Sequence, residues 1–178
     1  MEFNKKKYIS LIIGLCFLTL GFGQVQENTM WLTDYEKVYA KSVKENKPIM
    51  ANFTGSDWCG WCKKLKKAVF DTKVFQDWAS KNVVLFELDY PRRTPQSEEL
   101  KKQNGQLQQT FGRFVRGYPT VLIFKIERTF KDDGTKDRDN IVLLPNTQLV
   151  MNGQGRLGYM PDPNSFIKKA SGIINAEN

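Results

Sequence analysis

The sequence predicts an α/β domain with a central mixed β-sheet that is covered by helices on both faces. In the middle of the chain, short apolar segments alternate with longer segments of helical periodicity. The hairpin-type turn Asp133-Gly134 follows, and an amphipathic helix comes last. Alternating strands and helices bury their apolar faces against each other in layers, and the loops at the strand ends carry functional sites.

The first half of the chain is predicted to contain two helical regions separated by a strand. Thr33 is expected to cap the first helix, with Glu36 at the capping-box position, and Pro48 follows its end. Asp71 is expected to cap the continuation of the second helical region. The predicted elements are a helix at 33–45, a buried strand at 48–54, and a helix at 59–70 that continues through Trp78.

The second half is predicted to alternate in the same way and to end in a hairpin and a helix. Acidic Glu98 begins one helix, and the turn Asp133-Gly134 lies within an extended hairpin over 127–147. Asp162 caps the final helix, with Pro163 at its first position. The predicted elements are strands at 83–88 and 121–124, a helix at 98–111, short strands at 141–144 and 148–151, and a helix from Asp162.

The N-terminus has the pattern of a signal peptide. Lys5–Lys7 precede the apolar run Leu11–Phe22, and Gly21 and Gly23 stand at positions −3 and −1 of a cleavage site after Gly23. We therefore expect residues 1–23 to be removed and 24–178 to form a single domain in the periplasm or outside the cell. An uncleaved membrane anchor is the alternative, although a spanning helix needs about 20 apolar residues.

Composition narrows the possible functions. Loss of residues 1–23 removes three lysines, one glutamate and Cys16, which changes the formal net charge from +8 to +6. The remaining positive residues are scattered and form no basic stripe interleaved with aromatic residues, so no nucleic-acid partner is expected. The chain has no histidine, which excludes Cys–His nucleophiles and His-based metal sites. Cys59 and Cys62 supply only half of a tetrahedral zinc shell, so we expect no metal and no other cofactor.

The segment Trp58-Cys59-Gly60-Trp61-Cys62-Lys63-Lys64 joins an apolar strand to a lysine-rich helix. Unpaired N–H groups and the helix dipole stabilise a thiolate in the first helical turn. A second cysteine one turn later can close a disulfide with it, which is the arrangement of a dithiol redox centre. A purely structural disulfide is the alternative, but so small a loop constrains the unfolded chain little.

The chain resembles the thioredoxin superfamily, and in particular its exported thioredoxin-like domains. The resemblance rests on the strand and Cys-x-x-Cys helix of 53–63 and on the segment 116–120, whose Pro119 comes 57 residues after Cys62. It implies a thioredoxin-like fold, to which this chain is expected to add an extra N-terminal helix and a hairpin that is longer than usual. It also implies that Cys59, exposed at the helix start, attacks a substrate disulfide, and that Cys62 resolves the mixed disulfide.

The resemblance further implies which residues contact a substrate. Pro119 is expected to be cis, which would place the backbone of Tyr118 beside the sulfurs, where it can pair with an extended polypeptide. Trp58 and Trp61 are expected to shield the sulfurs and to offer an apolar docking surface, and Gly60 sets the geometry between the cysteines. The lysines after Cys62 and the pair Arg92-Arg93 are expected to be solvated.

Two positions depart from the superfamily pattern. Asn52 stands where thioredoxins carry a buried aspartate, and Leu85 stands where they carry its lysine partner. The usual proton acceptor for Cys62 is therefore missing. Glu87 or a water molecule is the alternative acceptor.

Three functions remain open at this point. The favoured prediction is a reductase that acts on protein thiols and disulfides together with an unidentified redox partner protein. Gly60-Trp61 supplies no histidine to stabilise the thiolate, which disfavours a strong oxidant. An isomerase or oxidase is the second predicted function, and a non-catalytic binding module that keeps the disulfide is the third.

Overall fold

The computed structural model describes residues 30–145 and 162–176. The predicted signal peptide and the predicted strand at 148–151 lie outside these residues. Within them, no helix is both long and apolar enough to cross a membrane. The elements are β1 (Trp31–Leu32), α1 (Tyr35–Glu45), β2 (Ile49–Thr54), α2 (Gly60–Leu65), a π-helical turn (Lys66–Phe70), α3 (Lys73–Asn82), β3 (Val84–Asp89), α4 (Glu98–Phe111), β4 (Thr120–Phe130), β5 (Lys136–Leu143) and α5 (Pro163–Asn175).

The strands of the described residues form one mixed sheet in the order β1-β3-β2-β4-β5. β3 is parallel to both β1 and β2, whereas β4 is antiparallel to both β2 and β5. The predicted mixed sheet is therefore confirmed. Strand β1 was not predicted, because two residues are too few to show a periodicity; Trp31 is paired with Leu85.

Helices cover both faces of the sheet, as predicted. Successive strand residues point to opposite faces, so Met50 and Leu85 join the core under α2, α3 and α5. Ala51 and Phe86 join the other core, under α1 and α4. The first core is rich in aromatic rings, and the Phe70 ring centroid lies 5.0 Å from that of Phe75. The motif helix α2 therefore packs against one face of the sheet.

Two predicted helix caps are wrong by one residue. Asp34, not Thr33, caps α1, since its carboxylate accepts the Lys37 N–H at 2.9 Å. Thr72, not Asp71, caps α3, because Thr72 has the extended backbone of a cap whereas Asp71 is still helical. The predicted cap of α5 is confirmed: Asp162 accepts the Ser165 N–H at 2.7 Å.

The extended hairpin is confirmed, and β4 is much longer than the predicted 121–124. Gly134 in its turn has φ +79°, a conformation that glycine adopts without a steric penalty. Arg128 of β4 fastens the hairpin to α1: its guanidinium pairs with Glu36 and Asp139, each at 2.7 Å, and lies 3.7 Å from the Tyr39 ring centroid. The hairpin therefore packs on α1.

Candidate active site

Cys59 and Cys62 form a disulfide at the junction of β2 and α2, with an S–S distance of 2.20 Å and a Cα–Cα distance of 5.3 Å. Cys59 is the N-cap of α2, and its Sγ accepts the backbone N–H of Cys62 at 3.2 Å. A sulfur in this position receives a hydrogen bond from a helix N–H that has no partner within the helix. The same donor is available to a Cys59 thiolate once the disulfide is reduced.

Both cysteines are buried in this disulfide form, with 5% of each residue exposed. The expectation of an exposed Cys59 is therefore wrong for the disulfide state. The Cys59 sulfur is bonded to that of Cys62 and accepts the Cys62 N–H in the first turn of the helix. In the disulfide form, therefore, little of either cysteine is exposed to solvent.

The second predicted motif meets the first in space. The Tyr118–Pro119 peptide bond is cis, as the resemblance implied, and Pro119 is buried. The Tyr118 ring makes an edge-to-face contact with Trp58, with 5.7 Å between ring centroids. The Tyr118 hydroxyl donates to Gln108 Oε1 at 3.2 Å. The cis-proline loop therefore lies against the residue that precedes Cys59.

Tyr90, which follows β3, packs beside Trp58 and Tyr118, and these three residues form one aromatic group. The Tyr90 carbonyl accepts the indole N–H of Trp58 at 2.9 Å, and the Tyr90 ring centroid lies 5.5 Å from that of Tyr118. Burial raises the pKa of Tyr90, with a further contribution from Tyr118. Burial also raises the pKa of Tyr118. Both phenols therefore stay neutral at physiological pH, and Tyr90 is a site residue that the sequence did not reveal.

Asp57 joins the motif loop to the loop after β3. Its Oδ2 accepts the backbone N–H groups of Arg93 and Thr94 at 2.6 and 2.9 Å, and its Oδ1 accepts that of Arg92 at 3.1 Å. Partial burial works against ionisation, but the hydrogen bonds donated by Arg92, Thr94 and Arg93 outweigh it and lower the pKa of Asp57 to about 2. A second contact joins the motif loop to the end of β3: Asp89 accepts the N–H and the hydroxyl of Ser56 at 2.8 and 2.6 Å.

The two residues between the cysteines face outward. Gly60 is exposed, and 42% of Trp61 is exposed. The ammonium of Lys64 lies 4.5 Å from the Trp61 ring centroid, and that of Lys63 donates to the Asp57 carbonyl at 3.0 Å. Both lysines are exposed, as expected, but each has a defined contact beside the motif.

Asn52 and Glu87 are register partners in the parallel pair β2–β3, on the face covered by α2. Within the described residues, Asn52 Oδ1 is buried without a hydrogen-bond partner. Burial raises the pKa of Glu87; Asp89 raises it further, while Lys66 opposes the shift. Glu87 lines a cleft of about 420 Å³ beside the π-helical turn.

In residues 30–145 and 162–176, no three His, Cys, Asp or Glu side chains cluster as metal ligands would.

A mixed sheet whose Cys-x-x-Cys helix faces a cis-proline loop defines a protein of the thioredoxin fold with a dithiol–disulfide centre. The chain belongs to the Thioredoxin-like family, whose family model matches residues 30–125, including both motifs.

Named relatives and a solved structure agree with this assignment. The disulfide bond reductase DsbH of Chlamydia pneumoniae is 31% identical over 100 residues, which are 56% of this chain and 58% of that protein. The thioredoxin-related protein DsbJ of the same organism is 30% identical over 124 residues, 68% of this chain and 35% of that one. The chain thus matches little more than half of the first relative and about a third of the second. The structure of a DsbH oxidoreductase shares the fold, with a TM-score of 0.58, 23% identity, and coverage of 82% of this chain and 83% of that one.

Proposed function

We propose that this protein is an exported thiol–disulfide oxidoreductase that reduces disulfide bonds in other proteins. The observation that carries the proposal is the contact between the two motifs: Trp58, which precedes Cys59, packs against Tyr118 of the cis-proline loop. A disulfide that served only stability would not require the cis-proline loop to pack beside it. The name of the relative DsbH, a disulfide bond reductase, supports the direction of the reaction.

The reaction uses the two cysteines in sequence. The Cys59 thiolate attacks one sulfur of a substrate disulfide, forms a mixed disulfide, and releases the other substrate sulfur as a thiolate that takes up a proton. Cys62 then loses its proton and attacks the Cys59 sulfur, which releases the second substrate thiol. Two electrons pass to the substrate, and the protein is left with the Cys59–Cys62 disulfide. A redox partner protein that supplies a dithiol then returns the pair to its reduced form.

The surroundings of Cys59 supply the stabilisation of the thiolate that these two reaction steps require. The Cys62 N–H, at 3.2 Å from the Cys59 sulfur, favours the thiolate over the thiol. No side chain of Gly60 or Trp61 adds a positive charge. A moderately stabilised thiolate is a better reductant than a strongly stabilised one, because stabilising the reduced form makes a pair more oxidising.

The substrate binds across the aromatic group as an extended segment. The Tyr118 backbone pairs with the substrate main chain, and Trp58 and Trp61 contact its apolar side chains. Gly60, which is exposed, leaves room for the substrate next to Cys59. The N-terminal pattern of residues 1–23 supports export, with 24–178 as the mature single domain.

Insulin reduction by dithiothreitol tests the proposal. The wild-type protein is expected to accelerate precipitation of the reduced insulin chains well above the rate with dithiothreitol alone. The Cys59→Ser variant is the control and is expected to give only the background rate. Equal rates for the two proteins would refute the proposed function.

A binding module with an inert disulfide is the competing function, and the burial of both cysteines favours it. Thiol alkylation of the reduced protein separates the two functions. An oxidoreductase is expected to show one thiol, Cys59, that reacts rapidly below pH 7, whereas a binding module would show two slow thiols. A glutathione equilibrium titration of the pair then gives its reduction potential and distinguishes a reductase from an oxidase or isomerase.

A further inference from the structure

Arg92 holds a position at the site that its place in a polar loop did not predict. Its guanidinium carbon lies 4.0 Å from the ring centroid of Trp58. Trp58 in turn makes an edge-to-face contact with Tyr118. Arg92, Trp58 and Tyr118 therefore form a row beside Cys59, and Arg92 is its exposed end. Stacking on an aromatic face leaves the edge N–H donors of a guanidinium available.

The loop that carries Arg92 is held in place by its backbone. Asp57 accepts N–H groups from the whole of Arg92–Thr94, so its carboxylate meets the main chain and not the guanidinium. The other nearby carboxylate, Asp89, is bound to Ser56. In the part of the chain that the structure describes, neither Arg92 nor Arg93 forms an ion pair with an acidic side chain.

Two lysines of α2 add positive charge next to the motif. Lys63 and Lys64 are exposed, and Lys64 lies over Trp61 as Arg92 lies over Trp58. Each tryptophan of the motif therefore has a cation on its ring. Four cationic side chains outnumber the two nearby carboxylates, so the exposed rim of the site carries a net positive charge: Arg92, Arg93, Lys63 and Lys64 against Asp57 and Asp89. Such a rim attracts negatively charged groups and raises the rate at which they arrive.

We propose that Arg92 is a specificity-determining residue that binds an acidic side chain next to the reacting cysteine of a polypeptide substrate. This inference rests on the proposed function. The guanidinium presents paired donors that match a carboxylate, and Trp58 and the backbone contacts of Asp57 fix its orientation in advance. Little conformational freedom is then lost when the carboxylate binds. The preferred substrates are protein disulfides with Asp or Glu beside the cysteine.

Synthetic peptide disulfides test this inference. Three peptides that differ only in having Glu, Gln or Lys next to the cysteine are mixed with stoichiometric reduced protein, and the second-order rate of disulfide exchange is measured at low and high salt. The wild type is expected to react with the Glu peptide about tenfold faster than with the Lys peptide, as for one charge-assisted contact. High salt should reduce that ratio.

The Arg92→Gln variant is expected to lose most of the preference for Glu over Gln, measured as the ratio of the two rates in the same protein. Arg138→Gln removes the same charge from the exposed far part of the β4–β5 hairpin, about 30 Å along β4 from the cis-proline loop, and should keep the wild-type preference. An Arg92→Gln protein with an unchanged preference would overturn the inference. Failure of the wild type to reduce any peptide would instead contradict the proposed function.

Discussion

A Cβ atom at Gly55 would lie 2.4 Å from Cε2 and 2.5 Å from Nε1 of Trp58. Atoms that are not bonded do not approach so closely, so the indole ring occupies the space that any other side chain at position 55 would fill. The Gly55 carbonyl also accepts the Cys59 N–H at 2.8 Å. The turn that presents Cys59 and the ring that shields it therefore depend on the same glycine.

The substitution Gly55→Ala is expected to displace Trp58 and to break its hydrogen bond to the Tyr90 carbonyl. Overpacking of this kind costs about 1–3 kcal/mol of unfolding free energy. Urea denaturation measures the loss of unfolding free energy, and tryptophan fluorescence reports the displacement of Trp58. Insulin reduction should be slower because Trp58 has moved from its position beside Cys59.

Gly105→Ala is the matched control, since Gly105 lies in α4 and an added Cβ there meets nothing within 4 Å. It should stabilise the protein by about 0.4–1 kcal/mol. If Gly55→Ala behaved like this control, the packing of Trp58 on Gly55 would not matter for stability.

Asp57→Asn tests the contact between the motif loop and Arg92–Thr94. The pKa of Asp57 is about 2 in the folded protein, below the value of about 3.9 in an unfolded chain. Its ionisation therefore stabilises the fold fully above about pH 4, and this contribution is lost as the pH falls through about 2. The melting temperature of the variant should lie below that of the wild type at pH 7, and the two should converge between about pH 4 and 2.

Asp132→Asn removes the same charge from an exposed position in the hairpin turn and is the control for net charge. A carboxyl signal of Asp57 that titrated by NMR at the ordinary aspartate value would contradict the prediction.

Glu87→Gln is expected to stabilise the folded protein at neutral pH. Burial raises the pKa of Glu87, with Asp89 adding to the effect and Lys66 opposing it. The folded state therefore favours the protonated form, and ionisation costs stability increasingly as the pH rises above the unfolded value of about 4.3. The difference in melting temperature between variant and wild type should be present at pH 7 and should shrink below pH 4.3.

The same variant tests whether Glu87 accepts the proton of Cys62. If it does, the mixed disulfide should be resolved several-fold more slowly in Glu87→Gln than in the wild type, as stopped-flow fluorescence can measure. Glu127→Gln, at an exposed position of β4, is the control. An unchanged resolution rate would leave water as the acceptor.

Arg128→Met is expected to lower stability without changing the redox chemistry. It removes the ion pairs to Glu36 and Asp139 and leaves the Asp139 carboxylate, whose side chain is 11% exposed, without its guanidinium partner. Breaking a buried pair from one side costs about 3–5 kcal/mol, and Lys136, which also pairs with Asp139, should bring the loss to the lower end. Chemical denaturation measures it against Arg138→Met, an exposed control. Loss of insulin reduction in folded Arg128→Met would contradict this separation of the hairpin from the site.

The helices and central strands could be predicted because their signals are local. The helix predicted at 98–111, with acidic Glu98 in its first turn, matches α4 at both ends, and the polar-to-apolar changes located β2 and β3 within a residue. Both errors in the helix caps occurred where two adjacent residues carry the same signal. Thr33 and Asp34 can both cap a helix, as can Asp71 and Thr72, and only the folded backbone decides which one adopts the extended conformation.

The sequence alone determined the two motifs, the absence of histidine and the alternation of strands with helices, because each is a property of neighbouring residues. The parallel pairing of β2 with β3 decided the contact between the motif loop and the loop after β3, because it brings together residues that are 35 positions apart in the chain. Only in the folded protein does Asp57 bind the backbone of Arg92, and only there does Arg92 lie on Trp58. Contacts of this kind depend on strand register and on hydrogen-bond donors of the main chain, which no pattern of side chains records. Arg92, which looked like a solvated residue, therefore became part of the site only through the tertiary structure.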